Sequence, residues 1–304
     1  MKVLIIGLGS IAQKHIAALR QIDSNVSIFA LRSNKNSEEF DGVHNIYDLQ
    51  DFDVKGVDFI LISNPTAQHF STIKDLIQFS KPLFIEKPLF SEITKNSQDL
   101  VLEIEQKNIP TYIACNLRFL DSLTELKNMI TNKIINEVNA YCGSYLPNWR
   151  TGVDFRKVYS ANKEMGGGVH IDLIHELDYV YWLFGEPKQT RSYFSNDSSL
   201  DISAFDYANY LWKYDTFAAS IVLNYYRKDS KRSIEILTSD NTYYVNLLKN
   251  EIYKNNNLIF SSEQRIVDTY YNQMKFFIDE VLGNNGKFNT IAEANKILEL
   301  CMQD

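Results

Sequence analysis

Three groups of residues in this chain have types and spacings suited to chemistry. Lys87 stands between Glu86 and Pro88, directly after the apolar run at 82–85. A proline stiffens the chain's exit from a strand, so the ammonium would be held at the strand end, where it could polarise a substrate hydroxyl or carbonyl. A Glu-Lys dipeptide is also what an ordinary solvated surface pair looks like. Asp172, His175 and Asp178 follow one another at intervals of three after Gly166-Gly167-Gly168. The residues from there to Gly185 have helical periodicity, with Pro187 beyond as a stop signal, so all three side chains are expected near one helix face. A carboxylate beside an imidazole holds a general base in one tautomer near neutral pH, although a hydrogen-bonded core histidine leaves the same pattern. The spacing would also suit a metal, but no third ligand stands nearby and none is expected. The third group is the irregular stretch 144–165, with Tyr145, Trp149, Arg150, Asp154, Arg156, Lys157 and Tyr159. Aromatic faces and guanidinium forks suit a polyhydroxylated, even anionic, ligand, and a loop of this length inside a compact domain is usually functional. Trp149 could equally anchor the loop on the core.

The elements that must position these groups are readable from the first residues onward. Val3-Leu4-Ile5-Ile6 has the content of a strand buried on both faces. It stops at Gly7-Leu8-Gly9-Ser10-Ile11-Ala12, after which Ile11, Ala12, His15, Ile16, Ala18 and Leu19 recur at helical spacing. Gly7 permits the sharp reversal, Gly9 lets the backbone approach a pyrophosphate and Ala12 lets helix and strand pack closely, while the helix start at Ser10 and Ile11 offers N–H groups to the anion. The same letters could mark a tight turn and nothing more, but their place between a buried strand and an amphipathic helix favours a dinucleotide site. A second strand at 26–31 ends in Leu31-Arg32-Ser33, with no carboxylate to accept ribose hydroxyls. A guanidinium and a hydroxyl there favour NADP(H) over NAD(H).

A strand at 57–62 ends in Ser63-Asn64-Pro65-Thr66-Ala67-Gln68-His69, followed by a helix at 69–79; a strand at 82–85, a helix at 92–107 and a strand at 111–115 complete the alternation. Asn64, Pro65, His69, Glu86 and Lys87 thereby fall at the carboxyl edge of a parallel sheet, where a doubly wound fold keeps its ligand. Residues 1–118 read as a Rossmann domain and 119–304 as a second, α/β domain. After Arg118, expected on the substrate side as the chain leaves the sheet, come a helix at 122–132 and a strand at 137–143.

With 304 residues the chain is too long for one ordinary core, and 45% apolar with 23% charged residues is an ordinary globular composition. The net charge of −7 argues against nucleic acid as a partner. No apolar run is long enough to cross a bilayer, and Lys2 leads straight into a core strand, so a cytoplasmic protein is expected. Cys115, Cys142 and Cys301 show no C-x-x-C and no metal spacing, the pattern of buried or incidental thiols. Polar loops are expected at 255–257 and 284–285.

Taken in order, the glycine turn, Asn64-Pro65-Thr66 with His69, Glu86-Lys87-Pro88, and the triple glycine followed by Asp172, His175 and Asp178 resemble the Gfo/Idh/MocA oxidoreductases over nearly the whole chain. Asp172 to Tyr179, with Tyr145-Leu146-Pro147-Asn148-Trp149-Arg150 upstream, resembles a subgroup found in bacterial surface-glycan pathways. The resemblance implies a C-terminal α/β domain on an open, mainly antiparallel sheet, with strands at 190–194, 204–213, 217–226, 232–238 and 241–248. It also implies last helices at 266–281 and 291–301 that pack back on the first domain. Its exposed sheet face suits a homodimer or homotetramer. It further implies hydride transfer between a nicotinamide and a carbon of a sugar, cyclitol or nucleotide-linked sugar. Lys87 would bind the reacting oxygen, and Asp172 and His175 would complete the proton path. Many members place the histidine four residues after the aspartate; the gap of three here leaves open which of the two contacts substrate. Two alternatives share the fold: an NAD-dependent glycoside hydrolase that recycles its cofactor, and a non-catalytic sensor, which would need neither Lys87 nor His175.

Overall fold

A computed structural model describes residues 1–36, 39–283 and 288–303; the Asn284-Asn285 pair lies outside the described residues. By their contacts the residues fall into two compact units, 1–116 with 270–298 and 117–269 with 299–304.

The first unit is a six-stranded, all-parallel sheet. Its strands are β1 (Lys2–Ile6), β2 (Ser27–Leu31), β3 (Val43–Ile46), β4 (Phe59–Ile62), β5 (Leu83–Ile85) and β6 (Thr111–Ile113), in the order β3-β2-β1-β4-β5-β6. The order reverses at β1, so the turn leaving β1 opens at the topological switch point. Helix α1 (Ser10–Ile22) follows β1, α2 (His69–Leu76) follows β4, and α3 (Lys95–Gln106) follows β5. Thr94 and Ser97 fix the start of α3 with reciprocal side-chain bonds, a capping box in which serine fills the third position. The apolar strands are buried on both faces, as a parallel sheet requires. Phe277, beyond helix α7 (Thr269–Phe276), sets its ring edge-on against Phe59 and Phe84.

The second unit is an eight-stranded sheet ordered β14-β13-β12-β11-β7-β10-β9-β8. Its strands are β7 (Ile135–Tyr145), β8 (Gln189–Ser195), β9 (Tyr207–Lys213), β10 (Ala218–Asn224), β11 (Tyr226–Thr238), β12 (Thr242–Asn246), β13 (Glu251–Lys254) and β14 (Asn257–Ser261). Every pairing is antiparallel except β7 with β10. Val138, Ala140, Cys142, Tyr210, Trp212 and Ile234 fill the inner face. Helices α4 (Asp121–Ile130), α5 (Val169–Asp172) and α6 (His175–Phe184) contact the sheet. The opposite face keeps Tyr193 and Leu211 in solvent. The last helix, α8, spans Ile291–Met302.

Four differences from the sequence reading have physical causes. Strand β3 was not expected: His44 and Asn45 break the apolar pattern, and an edge strand needs only one good neighbour. The β13–β14 hairpin was read only as a loop, yet Asn255 and Asn256 both have positive φ, the requirement of a type I′ turn. The expected single helix after Gly168 is two, because Leu173 leaves helical geometry (φ −101°, ψ 29°) between α5 and α6. The stretch at 144–165 is a chain of one-turn 3₁₀ segments at Leu146–Asn148, Phe155–Lys157, Tyr159–Ala161 and Lys163–Met165. Among the described residues no helix is long and apolar enough to cross a membrane.

Candidate active site

In the first unit the chemistry-bearing residues gather at the carboxyl ends of β1, β4 and β5. Gly7 has φ +89°, and a Cβ there would lie 2.6 Å from the Asn64 backbone, so only glycine fits where the two strand ends converge. The Ser63 hydroxyl donates to Gly7 O at 2.8 Å and ties the ends together. Nothing lies within 4 Å of a Cβ built on Gly9. Helix α1 starts there without a side-chain cap and without an acidic residue in its first turn. Uncapped N–H groups at an open, positively polarised helix end suit a phosphate. Asn64 Nδ2 donates to Thr72 Oγ1 at 2.8 Å, while its buried Oδ1 has no partner among the described residues and is available to a ligand donor. The residues present therefore fit a dinucleotide. Arg32 follows β2 and donates to Asn45 Oδ1 at 3.2 Å, with exposed Ser33 beside it. Pro65 opens the short turn Thr66–Gln68 before α2.

Glu86 and His69, expected at the cofactor, have buried side chains bonded within the chain. Glu86 is buried, and its Oε1 accepts from His15 Nε2 at 2.5 Å. Its Oε2 accepts from the Lys87 backbone N–H at 3.2 Å. His69 is 1% exposed. Its Nδ1 donates to the carbonyls of Pro88 (3.1 Å) and Leu89 (3.0 Å), and its Nε2 faces Asn64 O at 3.0 Å. Burial holds the His69 imidazole below its ordinary range, against the opposing pull of the carbonyls and Glu86. Lys87 itself is half-buried.

In the second unit Asp172 ends α5 and His175 begins α6, so the two residues flank a helix break and do not share one continuous helix face. Gly168, at φ +147°, starts α5, and a Cβ on Gly167 would strike Tyr159 O at 2.0 Å; the first is thus required by its backbone conformation and the second by close backbone approach. Tyr225, at the β10–β11 junction, donates its hydroxyl to Asp172 Oδ2 at 2.5 Å. Burial, then the Asp172 carboxylate, holds the Tyr225 phenol well above its ordinary range, so it remains a donor at neutral pH. Tyr159 is raised for the same two reasons and donates to Gly166 O at 2.9 Å. Trp149, 41% exposed, rests edge-on against Tyr225 with ring centroids 5.3 Å apart and donates from Nε1 to Ser144 Oγ at 3.0 Å. Arg150 is exposed beside it. Tyr225 was missed by sequence reasoning: at the end of an apolar strand it reads as core, and only folding brings it to Asp172.

Arg118 and Asp178 meet in the interior of the second unit. Arg118, assigned to substrate, closes a bidentate ion pair on Asp178, with Nε to Oδ2 at 2.9 Å and Nη2 to Oδ1 at 2.7 Å. Both side chains are 1% exposed, so Asp178 also turns into the interior, away from solvent. The thiols of Cys142 and Cys301 are buried and pushed up to about 12 by that burial, as inert thiols are. Among the described residues no cluster of three His, Cys, Asp or Glu could hold a metal.

A Rossmann sheet with a glycine turn at its switch point, followed by a mainly antiparallel sheet with Asp172 and His175 on the helices beside it, defines a nucleotide-binding oxidoreductase architecture. Residues 1–112 match the sequence model described as "Oxidoreductase family, NAD-binding Rossmann fold", and residues 123–244 match the "GFO/IDH/MocA C-terminal domain". The chain belongs to the Gfo/Idh/MocA oxidoreductase family. Among curated relatives, inositol 2-dehydrogenase of Salmonella typhimurium is 26% identical over 218 residues, 66% of this chain and 60% of the relative's length. Among solved structures, UDP-N-acetylglucosamine 3-dehydrogenase from Acidithiobacillus ferrooxidans superposes with a TM-score of 0.79 at 18% identity, covering 100% of this chain and 96% of that one. Scyllo-inositol dehydrogenase from Lactobacillus casei, with NAD(H) and scyllo-inositol bound, gives 0.80 at 19% identity over 99% and 95%. At these identities the structural likeness is one of fold.

Proposed function

We propose that this chain is an NADP(H)-dependent dehydrogenase or reductase acting on a CH–OH carbon of a cyclitol, sugar or nucleotide-linked sugar. The observation that carries the reading is the first unit's arrangement: an uncapped helix end over an open Gly9 and, at the same carboxyl edge of the sheet after β5, a lysine whose backbone N–H is held by a buried carboxylate. The N–H groups at 9–11 and the Asn64 side chain would hold the dinucleotide, and Arg32 and Ser33 a ribose phosphate. When bound, the nicotinamide supplies the hydride acceptor or donor. Lys87 binds the reacting oxygen, and its positive charge stabilises the alkoxide character that develops on it. His175 takes the hydroxyl proton, and Asp172 is oriented by the Tyr225 hydroxyl that donates to it. Trp149, Arg150 and Tyr159 serve the substrate's hydroxyls and ring faces. The substrates in two relatives' names support the polyol class: inositol in one case, an amino-sugar nucleotide in another.

A second copy of the chain covers the open sheet face that leaves Tyr193 and Leu211 in solvent, giving a dimer or tetramer. The test of function is a panel of inositols, hexoses and UDP-sugars with NADP⁺ and NAD⁺, read by nicotinamide absorbance, with products analysed in parallel without added cofactor. Absorbance gain with a polyol supports the dehydrogenase. Glycosidic cleavage without added cofactor supports the recycled-cofactor hydrolase, and dinucleotide binding without either reaction supports a sensor.

A further inference from the structure

His15 was expected only as one position on the apolar face of α1, yet its surroundings give it a specific task. It is fully buried, with the Phe84 ring 4.9 Å and the Tyr270 ring 5.5 Å from its own, both edge-on. For packing alone an apolar side chain would serve such a site better, because a buried imidazole and carboxylate both lose hydration. The ring's Nδ1 is buried and has no hydrogen-bond partner among the described residues, so the imidazole acts through Nε2 alone. That nitrogen holds Glu86 Oε1 at 2.5 Å, and Glu86 Oε2 holds the next residue's N–H at 3.2 Å. A carboxylate bonded to the backbone one residue along restrains the dihedrals on both sides of that peptide, and so the direction in which the Lys87 side chain leaves the chain. On the other side His69 holds the carbonyls of Pro88 and Leu89. The Lys87 N–H is thus held by a carboxylate that His15 anchors, and the two peptides beyond Pro88 are held by His69, a buried histidine from a different helix.

We propose that His15 is a positioning residue for Lys87: its Nε2–H fixes the Glu86 carboxylate, whose second oxygen fixes the Lys87 backbone. The proposal rests on the reading that Lys87 binds the reacting oxygen, and its effect on turnover follows from the sensitivity of such groups to placement. Ångström-scale misplacement of a reacting group costs on the order of a hundredfold in rate.

The test uses full-length protein labelled with ¹⁵N-lysine, in which the Lys87 amide resonance is identified by its loss in Lys87→Arg. An amide donating to a carboxylate resonates downfield. His15→Leu shifts that resonance upfield, and His15→Gln, which keeps a donor, restores it. Should the leucine variant not fold, Glu86→Gln, which keeps shape and weakens the acceptor, gives the same upfield shift. An unmoved resonance in His15→Leu or in Glu86→Gln overturns the proposal. With myo-inositol and NADP⁺ as probes, His15→Leu lowers kcat about tenfold to a hundredfold. KM and the NADPH Kd stay within about twofold, as the loss of an alignment specific to the transition state requires, and His15→Gln recovers most of the rate. Full activity in Lys87→Met removes the reading of Lys87 while the resonance shifts still stand. An inactive Lys87→Met with an undiminished His15→Leu removes the proposal alone.

Discussion

Arg118→Met separates a structural ion pair from a substrate contact. The Arg118 guanidinium and the Asp178 carboxylate meet through two short bonds, 2.9 and 2.7 Å, with both side chains 1% exposed. Removing the arginine leaves a carboxylate in the interior without its counter-charge, a change that costs about 3–5 kcal/mol. At roughly 2–4 °C per kcal/mol for a unit of this size, the second unit's calorimetric transition falls by roughly 6–20 °C. Methionine matches the length of the arginine stem, so little of the loss comes from a cavity. Asp178→Asn lowers the same transition, because it leaves the guanidinium facing a neutral group. Combining Arg118→Met with Asp178→Leu returns most of the loss, since a buried pair replaced by apolar side chains is nearly neutral. Scanning calorimetry reads all of these, and NADPH titration by protein fluorescence shows an unchanged Kd. An unchanged transition in Arg118→Met, together with a raised KM for polyol, would refute the structural assignment.

Tyr225→Phe removes the hydroxyl that donates to Asp172 and lowers kcat about tenfold with NADPH affinity intact, measured by steady-state kinetics; an unchanged kcat removes Tyr225 from the site. Arg32→Asp weakens NADP(H) about tenfold to a hundredfold and leaves or improves NAD(H), measured by fluorescence titration; equal effects on both cofactors contradict the phosphate assignment. His69 is held below its ordinary range by burial, so the unfolded chain binds the proton more readily. The stability it contributes is complete above about pH 6.5 and is lost as pH falls through the folded value. Urea midpoints therefore drop on acidification, and His69→Gln flattens that slope; a rising midpoint contradicts the assignment.

What the sequence made legible follows from how local each signal is. The β1–α1 turn could be read because Gly7, Gly9 and Ala12 each have a local backbone or packing reason. The parallel and mainly antiparallel sheets were readable from strand spacing and from the family resemblance together. The Arg118–Asp178 pair was not legible because residues 60 apart in sequence announce no pairing; a guanidinium at the end of a sheet looks the same whether it meets solvent or a buried carboxylate. The helix break at Leu173 was hidden because apolar periodicity runs on through it. Glu86 and His69 were correctly placed at the carboxyl edge, but which way each side chain turns depends on partners, His15 and the Pro88 and Leu89 carbonyls, that only the fold supplies.

The central claim, hydride exchange at a polyol carbon with Lys87 on the reacting oxygen, is tested most directly by comparing the wild-type chain and Lys87→Met. Each is titrated with NADPH and then assayed with NADP⁺ and the polyol panel. NADPH binds both proteins, and nicotinamide absorbance rises only with the wild type. Equal rates in the two proteins, or no absorbance change in wild type across the panel, would contradict it.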